Sequence, residues 1–475
     1  MQSIHRHPSR SSAPRRERRL VLGIPFTSIS APAALEQCLS IVRRGEPKHV
    51  ITANTDFLAK AEADPSVRRL MFEADEVYCD GMPLVWASRL FERPGGGLPE
   101  RVTGSDLVPR LLDRLAAEER SVFFLGSDPE TLGRLTEKLG KEIPSLRVAG
   151  AMSPPVGPID GWDSEAIVEA IRANKPDVLM VAVGFPKQDE WIRRHRERLR
   201  VPLMIGVGAS LDFIAGKQVR APGWMQVSGL EWVWRLATDP KRLAKRYLDD
   251  FQVLARVIIR QLRATLRNYL PVWGARPGMG QALINGLRLG GVRVIRWESG
   301  GRVSETAGAD RAGVVFDVSN VEAMEEGLID ALHDAARSAR EQGRRFAIFG
   351  ACPRLRSWLG DFGLLDVWPH FETPTALSTW LGEGSLSVAL AKCGRRGIAF
   401  EKAIEELFAP TWQPGPERLR VDFQSVGSLN RLGANRLHTL KSRARAGGSS
   451  LVFENLSELT RDSLEILELA PQMAA

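Results

Sequence analysis

The 475-residue sequence has no uninterrupted apolar run near the roughly 18–20 residues of a membrane-spanning helix. That argues against an integral helical membrane protein. Its four cysteines, Cys38, Cys79, Cys352 and Cys393, are scattered without Cys-x-x-Cys spacing. They read as free thiols of a reducing cytoplasm, not as a disulfide framework or a zinc site. Walker A, His-Glu-x-x-His and Gly-x-Gly-x-x-Gly patterns are all missing, which counts against phosphate-loop, zinc-hydrolase and dinucleotide-dependent dehydrogenase readings. No Asp-x-Asp pair occurs. The short metal-binding signature of many sugar transferases is therefore absent, and no metal site is expected. The N-terminal segment has charge without an apolar core region, so no secretory signal is expected.

What is present is ordinary globular composition, 44% hydrophobic and 26% charged, with a formal net charge of +8. The charge is local. Six arginines (Arg6, Arg10, Arg15, Arg16, Arg18, Arg19) face one glutamate in the first nineteen residues, and nine Lys/Arg face three aspartates over 235–267. The remainder is slightly acidic, so no nucleic-acid footprint is spread over the fold. The leader (1–19) reads as a disordered solubilising segment, with binding to acidic lipid or nucleic acid as the rival.

From residue 20, short β-rich runs (20–24, 49–53, 76–79, 121–125, 177–183, 202–207) alternate with amphipathic stretches such as 33–43 and 106–118. This predicts an α/β domain with a largely parallel sheet over 20–234. Ligands in such sheets bind at the carboxyl ends of strands, which directs attention to the turns after these runs. Over 235–267, basic residues interleave with apolar ones at helical spacing, predicting one or two amphipathic basic helices. A Pro/Gly-rich linker follows at 268–281. Beyond it, Gly313–Asp317 resembles Leu419–Asp422, and 346–349 resembles 451–454, at one offset of 105 residues. That suggests two copies of a βα module, over 282–382 and 383–475.

Four clusters in the first domain carry the chemistry. Thr52 and Asn54 end one strand; Asp80-Gly81-Met82-Pro83 ends another. Gly184-Phe185-Pro186-Lys187-Gln188-Asp189 offers donors at a helix start, where a phosphate or sugar would sit or where the residues simply cap the helix. The fourth runs from Gly206 through Asp212, Arg220-Ala221-Pro222 and Gly229-Leu230-Glu231-Trp232 to Arg235. With Arg101-Val102-Thr103-Gly104, Phe124-Leu125-Gly126 and Asp239-Pro240-x-Arg242, these ordered motifs resemble the WecG/TagA/CpsF glycosyltransferases (glycosyltransferase family 26) over about residues 20–250. The resemblance implies a Rossmann-like domain that transfers a sugar, N-acetylmannosamine being the best-known, from a UDP-sugar to a polyprenyl-diphosphate-linked saccharide. Transfer is inverting and metal-independent, and takes place on the cytoplasmic face of the membrane in exopolysaccharide or cell-surface polysaccharide synthesis.

The resemblance makes Asp80 the catalytic base and places Arg235, Arg242 and Arg246 over the nucleotide diphosphate. Its substrate-binding positions are Thr52, Asn54, Gly81, Arg101, Gly104, Gly126, Gly184, Pro186, Lys187, Gln188, Asp189, Asp212, Arg220 and Glu231. The residues agree: within 20–250 the only histidines, His49 and His195, lie outside the motifs, which favours a carboxylate base. Without a metal, arginines and helix N-termini must stabilise the departing diphosphate. One position departs from the family, which usually has Pro-Lys-Gln-Glu; here Gln188 is followed by Asp189 and then Glu190, so either carboxylate is a candidate for that role.

The basic helices either lie on an anionic membrane surface or pack on their own domain. The C-terminal modules resemble STAS domains, which implies a protein partner or self-association. At the position phosphorylated in that family stand Glu326 and Arg431, neither of which accepts a phosphate. The alternative to an enzyme is a non-catalytic STAS-type scaffold or regulator of polysaccharide synthesis.

Overall fold

A computed structural model describes residues 18–91, 97–217, 220–269, 286–289, 292–298, 302–306, 313–319, 321, 323–325, 327–371, 377, 385–389, 418–422 and 450–454. The leader through residue 17, the linker from 270, Glu326 and Arg431 lie outside the described residues. The chain divides into two compact units, Met1–Leu262 and Arg263–Ala475.

The first unit opens on a hairpin, not on the single strand expected over 20–24. β1 (Arg18–Val21) and β2 (Ile24–Thr27) pair antiparallel. Leu22 and Gly23 between them take φ of 52° and 81°, as a two-residue turn matched to strand twist requires. The turn is hidden in the sequence because a leucine occupies its first position and is itself buried. Arg18 and Arg19, counted with the leader, are part of β1.

There follow α1 (Ala31–Arg44), β3 (Lys48–Ala53), α2 (Thr55–Ala63), α3 (Pro65–Glu73), β4 (Glu76–Cys79), α4 (Met82–Phe91), α5 (Gly104–Ala117) and β5 (Ser121–Gly126). Next come α6 (Pro129–Glu142), β6 (Arg147–Met152), α7 (Ser164–Asn174), β7 (Val178–Ala182), α8 (Lys187–Leu199) and β8 (Leu203–Gly206). The unit closes with α9 (Ser210–Ile214), α10 (Gly223–Val227), α11 (Glu231–Thr238) and α12 (Pro240–Tyr269), the last running past its boundary.

The central sheet is parallel throughout, in the order β4-β3-β8-β7-β5-β6. Apart from the edge strand β6, its strands are buried on both faces, as a parallel sheet covered by helices requires. Along β5, Val122 and Phe124 enter a core with α1, α5 and α6, whereas Phe123 and Leu125 enter one with α7 and α8. A third core joins the hairpin to α2, α3 and α4, and takes in Leu254 and Val257 of α12. The basic segment is two helices, broken at Asp239-Pro240, and Pro240 is the first residue of α12, where a missing N–H costs nothing.

In the second unit the order is β9 (Gly286–Leu289), β10 (Val292–Glu298), β11 (Arg302–Thr306), β12 (Gly313–Asp317), α13 (Leu328–Glu341), β13 (Arg345–Phe349), α14 (Pro353–Asp361), β14 (His370–Phe371), β15 (Ser385–Ala389), β16 (Arg418–Asp422) and β17 (Ser450–Glu454). They form two sheets, β11-β10-β12-β13-β14 and β17-β16-β15-β9. Each is parallel apart from one antiparallel edge strand, β11 or β9. Gly313 pairs with Arg345 and Arg418 with Ser450; positions 313 and 418, and 345 and 450, are each 105 residues apart. The sequence repeat is thus also a repeat of strand register. The two sheets are not consecutive in the chain, however: β9, from the segment assigned to the first module, edges the sheet of the second.

Candidate active site

The carboxyl ends of β3 and β4 and the helices α11 and α12 enclose a cavity. Asn54, Asp56, Asp80, Gly81, Met82, Arg101, Gly229, Glu231, Trp232, Arg235, Arg246, Tyr247, Asp250 and Phe251 are among its lining residues. Local chemistry fixes its base. The Asp80 amide donates to Ala53 O at 2.8 Å, tying the end of β4 to that of β3. The Asp80 carboxylate accepts from the Gly104 amide (3.2 Å), the first residue of α5, an N–H without an intrahelical partner. Asn54 caps α2 through the Asp56 amide. Gly229 takes φ 76°, and a Cβ there would stand 2.6 Å from Met82 Cγ; glycine lets the α10–α11 turn close onto the start of α4.

The Asp80 carboxyl is pushed up to about 7: burial, the largest influence, and Glu231 raise it against the pull of Arg235, the Gly104 amide and Arg101. A base poised near the operating pH is effective in both proton uptake and release. Glu231, buried, is the shared acidic partner of three arginines. Arg235 meets it at 2.8 Å, Arg101 at 3.5 Å and Arg220 at 4.0 Å. Arg101 also donates to Gln226 O at 2.6 Å, and Arg220 to Asp106 at 2.8 Å. The Arg235 guanidinium lies over the Phe213 ring, and that of Arg246 over Tyr247.

Of the positions singled out in the sequence, Asn54, Asp80, Gly81, Arg101, Glu231, Arg235 and Arg246 share this wall. Thr52, at the end of β3, and Gly104 flank it, and Arg220 joins through Glu231. Arg242 lies on α12, its side chain outside the described residues. The remainder sit at the carboxyl ends of β5, β7 and β8, away from that wall. Gly126 ends β5; Gly184 and Pro186 form the turn after β7, with a cis Phe185–Pro186 peptide. Asp212 accepts from Ser127 Oγ at 3.2 Å. Lys187 reaches out to Gly157 O at 2.9 Å.

Gln188 and Asp189 are buried beneath that turn. Asp189 Oδ1 is 2.9 Å from His49 Nε2, and a Cβ on Gly206 would stand 2.3 Å from Gln188 Nε2. His49, outside every motif, is therefore the partner of the departure from the family pattern. The shorter carboxylate fits the space that the His49 ring leaves. Asp189→Glu is expected to overpack this site and cost about 1–3 kcal/mol of stability, measurable as a lowered melting temperature.

Sequence reasoning did not single out Asp56, Tyr247, Asp250 or Phe251 as site residues. A signal was available on α12: Leu243, Tyr247, Asp250, Leu254, Val257, Gln261 and Ala264 follow one another at alternating steps of four and three, the period of a buried helical stripe. An aspartate inside such a stripe is the anomaly that marks a site. Among the described residues no group of three or more His, Cys, Asp or Glu is placed to hold a metal ion.

The site is thus a cavity at the carboxyl ends of β3 and β4 of a parallel α/β sheet, closed over Asp80 by basic helices. The profile of the Glycosyl transferase WecG/TagA/CpsF family matches residues 19–267, and the chain belongs to that family. An N-acetylglucosaminyldiphosphoundecaprenol N-acetyl-beta-D-mannosaminyltransferase of Bacillus spizizenii is 30% identical over 195 residues, 41% of this chain and 72% of the relative. The Staphylococcus aureus enzyme of the same name is 29% identical over 227 residues, 47% of this chain and 86% of the relative. Among solved structures, a GTP-binding protein from Sulfolobus solfataricus in complex with GDP overlaps 74% of this chain and 99% of its own, at 11% identity; its TM-score of 0.17 carries no structural argument.

Proposed function

We propose that the chain transfers a hexose or N-acetylhexosamine, of the N-acetylmannosamine class, from a UDP-sugar to a polyprenyl-diphosphate-linked saccharide. The setting is exopolysaccharide or cell-surface polysaccharide synthesis at the inner face of the cell membrane. The observation that carries this is the Asp80 carboxylate, half-buried at the base of a cavity ringed by Arg101, Arg235 and Arg246, in a chain whose relatives act on N-acetylglucosaminyldiphosphoundecaprenol by name.

In this reading Asp80 takes the proton of the acceptor hydroxyl as its oxygen bonds to the anomeric carbon. The bond from that carbon to the UDP oxygen breaks on the opposite face, inverting the centre. The negative charge gathering on the diphosphate meets guanidinium groups in place of a metal. Glycines and donors at the ends of β5, β7 and β8 receive the nucleotide portion.

The exposed side of α12 supports peripheral membrane binding. Leu248, Phe251, Ile259, Leu262 and Leu266 are exposed there beside Lys245, Arg256 and Arg263, an apolar stripe flanked by cations. No described helix is long and apolar enough to cross a membrane. The second unit, with its parallel sheets repeated in register, serves in this reading as a STAS-like docking module for a protein partner or a second copy.

The test is a panel of UDP-sugars with polyprenyl-diphosphate N-acetylglucosamine or glucose, scored for UDP release; release from none would reject the reading. The pH dependence is a finer test. If Asp80 must be ionised, kcat/KM rises with pH to half its plateau near 7. Arg235→Gln removes a charge that stabilises the carboxylate and shifts the rise to higher pH. Glu231→Gln removes one that opposes it and shifts the rise lower.

A further inference from the structure

Among the described carboxylates of the cavity wall, Asp250 has a buried oxygen that its own fold leaves without a partner. It stands on α12 in the stripe that packs inward, between Leu243 and Leu254, with 5% of its surface exposed. Its Oδ2 is buried and has no hydrogen-bond partner. Its carboxyl is raised to about 6, by burial first and by Asp56 on α2 and Asp249, against the opposing pull of Arg246 and Lys60. Asp56 is itself engaged by Lys60 at 2.8 Å. A buried carboxylate oxygen without a partner costs stability, and here it faces a cavity, so its place in the inward stripe calls for a ligand that supplies a donor.

The surroundings define that donor. Tyr247, one turn before Asp250, and Phe251, the next residue, line the same cavity, and the Trp232 ring is edge-on to both, with centroids 6.3 and 5.2 Å away. Aromatic walls with one convergent carboxylate suit a molecule with apolar C–H faces and hydroxyl donors, which is a pyranose. Phe251 lines the cavity and is also 39% exposed on the apolar outer side of α12. A saccharide held here is thus continuous with the surface a lipid carrier would occupy, and it stands on the wall that bears Asp80.

We propose that Asp250, flanked by Tyr247 and Phe251, binds the saccharide of the lipid-linked acceptor, its carboxylate accepting hydrogen bonds from sugar hydroxyls. This assignment rests on the transferase reading above and adds to it the acceptor subsite and the residue that selects for it. The donor's nucleotide is left to the ends of β5, β7 and β8, so Asp250 distinguishes the two substrates.

The experiment compares the full chain with Asp250→Asn and Asp250→Ala. Binding of a short-chain polyprenyl-diphosphate N-acetylglucosamine is followed by tryptophan fluorescence and calorimetry, and UDP binding is measured on the same samples. Loss of a hydrogen bond to a charged group predicts acceptor affinity lower by about tenfold or more in Asp250→Ala, less in Asp250→Asn, with UDP affinity unchanged. A merely structural Asp250 would lower the melting temperature on removal; the subsite predicts an equal or higher one, because an uncompensated buried charge is gone. Wild-type acceptor affinity in Asp250→Ala, weakened UDP binding in place of acceptor binding, or no acceptor binding by the wild type would each overturn the assignment. If UDP still binds and is released from a UDP-sugar in those cases, the transferase reading stands and only the subsite fails. If neither occurs, the transferase reading fails as well.

Discussion

Asp80→Asn is expected to lower kcat by about 10²- to 10⁴-fold, the range for removal of a positioned general base, while the protein keeps its fold. The replacement is isosteric, and its amide oxygen can still accept from the Gly104 N–H that holds the carboxylate at 3.2 Å. What it lacks is affinity for a proton. The other carboxylates on the wall are poorly placed to substitute. Asp56 is paired with Lys60, and Glu231 is shared among three arginines. Asp250 lies on the opposing helix. UDP binding, read by calorimetry, should be little changed, because the lost interaction concerns the acceptor proton. The rise in kcat/KM near pH 7 should vanish along with the rate. Retention of most of the wild-type rate, or of the pH limb, would move the base elsewhere and leave Asp80 a structural cap between β4 and α5.

The sequence made some of this legible and hid the rest for definite reasons. The strands β3, β4, β5, β7 and β8 stood out as apolar runs because both faces of a parallel sheet are buried, and the residues at their ends marked the site edge. β6 was missed: Arg147–Met152 is an edge strand with mostly exposed side chains, so no apolar run announced it. The Leu22-Gly23 turn was missed because its leucine is buried like its neighbours. In the second unit the 105-residue repeat was visible, but strand exchange was not, since Gly286–Leu289 pairs with residues about a hundred positions away. Asp189 drew attention as a shorter carboxylate. Its partner His49 lies 140 residues earlier, a contact that only the pairing of β3 with β8, and the packing of α8 beneath, brings about. Asp250 was counted as a charge on a basic helix when its place within the inward stripe was the informative feature.

The largest loss should come from removing residues 236–267, which is expected to abolish transfer even to a soluble short-chain acceptor. The segment does more than bring the enzyme to a surface. It carries Arg246, Tyr247, Asp250 and Phe251 of the cavity wall, and it seats Leu254 and Val257 in the core formed with the hairpin, α2 and α4. Loss of that packing opens this core, so the shortened protein must first be shown to retain its secondary structure and a cooperative melt. A second variant separates docking from chemistry. Leu248→Ser, Ile259→Ser and Leu266→Ser together alter exposed positions of α12 and leave the inward stripe untouched. Each side chain would contribute about 1.5–3 kcal/mol on full burial in an apolar medium, so the triple variant should bind anionic vesicles far more weakly. It should process a vesicle-borne acceptor slowly and a soluble one at nearly the wild-type rate. Equal losses on both acceptors would make the outer stripe part of the catalytic closure. Full activity of the 236–267 deletion would show that the cavity works without its helical wall, and with it would fall the roles given to Arg246 and Asp250.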